Sequence, residues 1–483
     1  MSKLYVFGIG GTGSRVIKSL TMLLASGVRM KSDAIVPIII DPDVAAADLT
    51  RTVDLMHTYN NIREKLTFTT DAQCGFFRTE VQELLPGFRM DLENTQNQLF
   101  KDYIQLNTMD RANYALAKML FSDDNLNADM EVGFKGNPNI GSVVLNRFAQ
   151  SPQFLKFASD FQKNDKIFII SSIFGGTGAS GFPVLLKNLR TLQTQSTLQT
   201  QGGVFPNAKD IQDSVIARVT GAITLLPYFG IEPNGESAID EATFISKTKA
   251  ALSYYNQNMS AIDALYYLGD NILSKYENNE GGEFQKNDAH LLELIAALAI
   301  VNFDEDFDER SLKTIYREFG VKQSGENLIF PDLCDATYDI IVRPMTRFTL
   351  LCKFFNEQLS DSIRQKLPWT VRFNEKKWFA DRYVKSYINK FVAEYMIWLN
   401  EMGKNRRGFV PFELEENKNA VFNLVKGCET KKVLFHVDSN YALFDGYLNK
   451  REKKFKEGLS LEQRFMELFA VVTDELINDK IRL

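Results

Sequence analysis

The sequence predicts an α/β fold, a mostly parallel sheet with helices on both faces, followed by a mainly helical C-terminal region. Three observations predict it. Near-continuous apolar runs at Leu4–Phe7, Ile35–Ile40 and Lys166–Ile173 are what strands buried on both faces require. Glycine-rich turns, Gly8–Gly13 and Gly175–Gly181, each join such a strand to a helical apolar repeat. From about residue 335 onward glycine becomes rare and helical periods carry Phe, Tyr and Trp.

Taken in order, Leu4–Phe7 is a strand, and Val16, Leu20, Leu23 and Leu24 recur at helical spacing after the first glycine turn. Ile35–Ile40 is the next strand and ends at Asp41-Pro42-Asp43, which completes a βαβ unit. Residues 46–132 are more polar, without strand alternation, and predict a largely helical insertion with a helix-like stretch at Leu99–Leu120. Gly133–Gly141 breaks the pattern, and a helix follows from about Ser142. After the strand at Lys166–Ile173 and the second glycine turn comes an apolar helix, Val184–Leu189. Residues 191–214, rich in Gln, Thr, Gly and Asp, predict a small surface insertion. Val219–Leu226 is a strand, a helix runs from about Glu236 to Tyr255, and Ala264–Leu268 is a further strand. The stretch His290–Val301 is apolar almost all round, so it is expected as a buried core helix, ending at Asn302–Asp306. The C-terminal helices are expected at Phe348–Arg364, Trp378–Met402 and Leu461–Asn478.

A length of 483 residues suggests two or three domains at a prior of roughly 150 residues each. Hydrophobic residues at 45% and charged residues at 24% match an ordinary soluble protein. With 56 Lys plus Arg against 61 Asp plus Glu, the net charge of −5 argues against a general nucleic-acid binder. The 37 Phe point to extensive packing, and the 3 His leave little room for His-rich metal sites. Cys74, Cys334, Cys352 and Cys428 form no CxxC pair, which excludes a zinc ribbon and a disulfide framework and fits a reducing compartment. His57, His290 and His436 make no HExxH. No run reaches about 18 apolar residues, so no membrane span is expected. Leu4–Ile9 is too short for a signal peptide and runs into glycines, so the expected location is the cytoplasm.

Each glycine turn sits between a buried strand and a helix. Backbone N–H groups and a helix N-terminus then surround one small volume, which favours phosphate. Neither turn is a Walker A, because no Lys follows at the required spacing. Gly8, Gly10 and Gly13 alone match GxGxxG, with Asp41 ending the next strand, and leave three readings open: NAD or FAD binding, another nucleotide, or tight helix–strand packing. The second turn favours a nucleoside di- or triphosphate held between two loops, since a Rossmann dinucleotide site does not need it.

The order of loops resembles the tubulin/FtsZ superfamily, in the manner of a divergent prokaryotic tubulin-like protein. The resemblance is carried by Gly8–Gly13, Asp41-Pro42-Asp43, Gly136-Asn137-Pro138-Asn139-Ile140-Gly141, Phe174-Gly175-Gly176-Thr177-Gly178-Ala179-Ser180, Leu226-Pro227-Tyr228-Phe229 and Asn271. The long helix and the acidic stretch Asn302-Phe303-Asp304 follow in the same order. It covers residues 1–310, which it implies to be a nucleotide-binding domain with a core helix at 290–301; residues 311–483 depart from the family's mixed second domain. Phe174 and Ser180 stand where the family's GGGTG[ST]G signature has glycines, and Ala179 where it has a hydroxyl.

The resemblance implies a GTP/GDP-binding protein, a GTPase that assembles head to tail with hydrolysis at the subunit junction. It implies backbone contacts to phosphate from Gly10, Gly11, Thr12 and Gly13 and from Gly175, Gly176, Thr177 and Gly178. Asn137 would support the γ-phosphate loop, Asp41 would sit near the Mg²⁺ and water network, Tyr228 or Phe229 would line the ribose or base, and Asn271, or Asp270 in its place, would pair with guanine. Asp304, with Asp306 as competitor, would activate water in the neighbouring subunit's site. Mg²⁺ would be held by phosphates and water rather than by a protein cage. Partners would be further copies of the chain and a protein docked on the C-terminal helices. An NAD(P)/FAD oxidoreductase and a non-hydrolysing tubulin-like scaffold are the alternatives; the first lacks an obvious His acid/base.

Overall fold

A computed structural model describes the chain from residue 2 to 483, apart from 70–73, 93–94, 96, 131–133, 135–136, 148–150, 163, 191–218, 232–240, 259–261, 272–273, 277–281, 285, 310, 312, 319–320, 323–324, 416, 418, 432–439 and 456–457. The expected insertion at 191–214 lies outside the described residues, as does Gly136.

The chain opens with β1 (Lys3–Ile9), α1 (Gly10–Ser26) and β2 (Ala34–Ile40). It continues through α2 (Ala47–Arg63), β3 (Glu80–Val81), α3 (Arg111–Leu120), α4 (Pro138–Leu145) and α5 (Pro152–Asp160). Next come β4 (Lys166–Ser172), α6 (Gly176–Arg190), β5 (Thr220–Leu225), α7 (Glu241–Asn258), β6 (Ala264–Leu268), α8 (Leu291–Asp306) and β7 (Ile315–Glu318). The longer C-terminal helices are α9 (Asp335–Glu357), α10 (Asn389–Lys404), α11 (Asn440–Glu452) and α12 (Leu461–Lys480).

The seven strands form one sheet in the order β3-β2-β1-β4-β5-β6-β7, and every pairing is parallel. Strand alternation sorts the helices onto two faces. On β1, Gly8 faces Ile17 of α1, while Tyr5 and Phe7 face Phe157 of α5 with ring centroids 5.1 Å apart. Register carries this across the sheet: Val6 pairs with Phe168 and Phe168 with Gly221, and Phe168 meets Phe303 of α8 on the α1 face. Helix α6 lies on the α5 face, where Gly181 meets Ile9, and α4 packs on it through Gly141 and Ser180.

The C-terminal helices form a further layer over α1 and α2. Trp398 donates its indole N–H to Ser19 Oγ at 3.3 Å, and the Phe391 ring packs on Tyr59 and Phe77. Helix α1 is therefore covered on both sides, and of its residues only Gly11 escapes full burial. The Phe surplus is core: Phe354 alone packs against Trp369, Tyr441, Phe444 and Phe469.

Four expectations are corrected. The helical insertion expected at 46–132 does not begin at 46, because α2 packs on α1 and β3 extends the sheet beside β2, which makes the part up to Val81 continuous with the sheet. The helix-like stretch Leu99–Leu120 is broken, with Gln105 at φ +54° and a fresh start at α3, where Asp110 caps the N–H groups of Ala112 and Asn113. The core helix does not end at Val301 but runs to Asp306, so the acidic stretch is its last turn. The boundary at 310 cuts the sheet, since β7 lies beyond it and pairs with β6. The mainly helical region begins at Asp335.

Candidate functional site

A parallel sheet presents all its strand C-termini at one edge, and ligands favour the point where the strand order reverses. Here the chain winds outward from β1 to β2 and β3, then returns to the other side of β1 as β4. Both glycine turns leave the sheet at that point, one after β1 and one after β4.

The turns touch. Gly10 has φ +73°, and a Cβ placed on it would lie 3.5 Å from Thr177 Cβ and 3.8 Å from Gly178 N. Only glycine tolerates that backbone freely, and its lack of a side chain lets the two turns approach. Gly13 serves another purpose: a Cβ there would lie 2.5 Å from the carbonyl carbon of Gly8, so this glycine lets α1 lie against β1. The packing reading of the first turn therefore holds at Gly13. The first turn of α1 has no side-chain cap, and neither α1 nor α6 carries an acidic residue in its first turn. An uncapped helix start with no acidic residue in its own first turn fits an anionic group such as phosphate.

Gly11, Gly175, Thr177, Asp41 and Asn137 are half-buried, and Asn271 is exposed. Asp41 follows β2, accepts the Asp43 N–H at 3.1 Å, and is pushed up to about 7 by burial. Asn137 precedes α4 without capping it. Asn271 follows β6, and its N–H is held by Asp270 Oδ1 at 2.7 Å. Ser180 Oγ donates to the Gly176 carbonyl at 2.6 Å, so the residue that departs from the signature braces the turn of α6.

Tyr228 does not line an open pocket. It is 1% exposed, its hydroxyl donates to Glu293 Oε1 at 2.7 Å and accepts from Arg15 at 3.2 Å. Its ring packs edge-on against Phe174 and Phe229, so the side chain of Phe174 fills the space that a glycine would leave. Phe229 is buried too, beneath the Arg15 guanidinium at 5.9 Å.

Asp304 is a structural carboxylate. It is fully buried, accepts the backbone N–H of Ser32 at 2.8 Å and its hydroxyl at 2.6 Å, and lies 3.4 Å from Lys166 Nζ. Those bonds tie the end of α8 to the start of β2 and β4, at the sheet edge opposite the glycine turns. Asp306 faces solvent there, with its side chain 42% exposed and held by Asn302 at 2.9 Å, as do its neighbours Glu305 and Asp308.

The site's charged residues lie beneath the first turn and were not singled out from the sequence. Arg15 Nη1 is 2.6 Å from Asp48, its Nε is 2.5 Å from Glu293, and its Nη2 reaches Thr12 Oγ1 at 3.4 Å. Lys18, Arg51 and Glu401 complete the charged crevice. Burial raises Asp48 while Arg15 opposes it, and burial lowers His290 to about 4. His290 caps α8 by accepting the Leu292 N–H, while Glu293 accepts the His290 N–H. The signal was present: Arg15, Lys18 and Glu293 are charges inside otherwise apolar helical runs, and a buried charge requires a partner.

Among the described residues no cluster of three or more His, Cys, Asp or Glu could hold a metal ion, and no helix is long and apolar enough to cross a membrane.

No family model and no curated protein sequence matches the chain. Solved structures similar to part of it include an empty FtsZ dimer from M. jannaschii, with 16% identity and TM-score 0.26 over 56% of this chain and 45% of that one. A CetZ from Methanosaeta thermophila gives 14% identity and TM-score 0.28, over 56% and 46%. CetZ2 from Haloferax volcanii, a GTPgS-bound protofilament, gives 14% identity and TM-score 0.31, over 64% and 60%. The chain spans about half the length of the first of these structures. Likenesses of that size concern part of the fold and say nothing of activity.

Proposed function

We propose that the glycine-turn edge of the sheet binds a guanine nucleotide, and that the chain is a tubulin/FtsZ-type protein whose copies assemble head to tail and hydrolyse GTP at their junctions. The observation that carries this reading is the approach of Gly10 to Thr177 across the β1/β4 reversal, between the uncapped start of α1 and the start of α6, neither with an acidic residue in its first turn. One loop holding a dinucleotide would leave the second without a purpose.

In this reading the N–H groups of Gly10–Gly13 and Gly175–Gly178 bind phosphate oxygens, and Thr177 adds its hydroxyl. Asn137 and Asp41 sit at the rim, Mg²⁺ arrives on the phosphates, and Asn271 reads the base. Helix α8 runs from the charged network at Glu293 to the far edge at Asp306. A head-to-tail neighbour would bring that far edge onto the nucleotide, and an interface of this kind propagates when its rotation does not close. Asp306 is then the carboxylate that orients water, and the C-terminal helices offer the surface for a protein partner. The burial of Asp304 favours a second reading, a nucleotide-binding scaffold that does not turn over.

The test is to release and identify the nucleotide that copurifies, then to follow phosphate release and sedimentation with added GTP. GTP or GDP with assembly is the expected result. Bound NAD or FAD overturns the nucleotide assignment, and binding without phosphate release selects the scaffold.

A further inference from the structure

The turn that ends α10 reaches into the candidate site at three places. Glu401 accepts the Ala289 N–H just before α8 at 3.2 Å and binds Lys18 of α1 and Arg51 of α2. Asn405 donates to the Ala289 carbonyl at 2.9 Å and accepts the Tyr276 hydroxyl at 2.6 Å; the Tyr276 ring packs on Phe229. Arg407 forms an ion pair with Asp270 through Oδ2, the same carboxylate whose Oδ1 fixes the Asn271 backbone.

These contacts converge from one short segment onto α1, α2, the approach to α8 and the loop after β6. The Arg407–Asp270 pair is enclosed, with side chains 11% and 13% exposed. Asp270 is thereby engaged on both oxygens, beside the exposed Asn271.

We infer that Glu401, Asn405 and Arg407 form a clamp from the C-terminal region that positions the base-side loop, so that nucleotide binding and seating of α10 are coupled. This rests on the nucleotide reading above. Arg407 acts through Asp270 on Asn271 and is a positioning residue. Coupling is reciprocal: whatever the clamp adds to nucleotide affinity, bound nucleotide returns to the clamp.

The experiment measures GTP and ATP affinity by calorimetry for the full chain and for Arg407→Ala, Arg407→Lys and Asn405→Ala, with urea unfolding as the check on folding. Hydrogen exchange of residues 389–409 is followed with and without GTP. Arg407→Ala is expected to weaken GTP at least about fivefold and to narrow the preference for GTP over ATP, with Arg407→Lys recovering part of both. GTP is expected to slow exchange at the clamp in wild type and not in Arg407→Ala. Folded Arg407→Ala and Asn405→Ala chains with wild-type affinity and selectivity overturn the inference while the nucleotide reading stands. A wild-type chain that binds neither nucleotide overturns both.

Discussion

The guanidinium of Arg15 on α1 and the carboxylate of Glu293 on α8 lie 2.5 Å apart beneath the first glycine turn, in a place where both are almost wholly removed from water. Removing one member of such a pair strands the other. Arg15→Ala leaves Asp48 and Glu293 facing each other unpaired, and is expected to cost about 3–5 kcal/mol in urea unfolding. Glu293→Gln keeps a hydrogen-bond acceptor for Arg15 and is expected to cost less; an equal or larger loss would show that a neutral acceptor cannot replace the carboxylate in holding α8 to α1.

The glycines of the first turn separate in their effects. Gly13→Ala drives a methyl into the Gly8 backbone and is expected to destabilise by about 3 kcal/mol or more. Gly10→Ala meets only ordinary contacts but must hold φ +73°, at about 1–2 kcal/mol. If the nucleotide lies between the turns, Gly10→Ala also loses at least about tenfold in GTP affinity, or 1.4 kcal/mol. Calorimetry on the folded variant decides, and undiminished affinity removes Gly10 from the site.

Asp304 and Asp306 are two residues apart and are expected to behave oppositely. Asp304→Ala strands the Ser32 N–H and hydroxyl, while Lys166 keeps the residue-304 carbonyl and Asp308, and should destabilise by about 1–3 kcal/mol for each stranded donor. Asp306→Ala lies at the surface and should change stability by within about 0.5 kcal/mol, yet abolish GTP turnover in the assembled state. Phosphate release that persists in Asp306→Ala rules this residue out as the water-orienting group.

His290 gives the pH dependence. Its folded pKa of about 4 lies below the ordinary 6.5 because burial disfavours the cation. As pH falls below 6.5 the unfolded chain takes up a proton that the folded chain refuses, so stability is lost between about pH 6.5 and 4. The full loss is about 3 kcal/mol at 1.36 kcal/mol per pKa unit. His290→Asn keeps a capping acceptor without the titration, and its stability should fall less over that window. Parallel slopes in urea midpoints against pH would falsify the assignment.

Much of the sheet was legible because its central strands are sealed on both faces: Leu4–Phe7 and Ile35–Ile40 have no polar side to break the run. The edge strands were not. Glu80–Val81 is two residues long, and Ile315–Glu318 carries Tyr316 and Arg317 outward to solvent, so neither shows an apolar run. The glycine turns were legible because backbone geometry leaves a mark on sequence. The partners of Arg15 were not, because Asp48, Tyr228 and Glu293 lie 33, 213 and 278 residues away and meet only through the fold. The same distance hides the fate of Asp304, which depends on Ser32, 272 residues earlier.

Helix α1 lies inside, with sheet on one side and C-terminal helices on the other. Excising the C-terminal layer to obtain a minimal core would uncover Lys18 and Arg51 without Glu401 and bare the apolar flank against which Trp398 rests. Any natural variant of this chain that trims or exchanges those helices must therefore rewrite α1 with them, and the two halves are expected to be inherited as one unit.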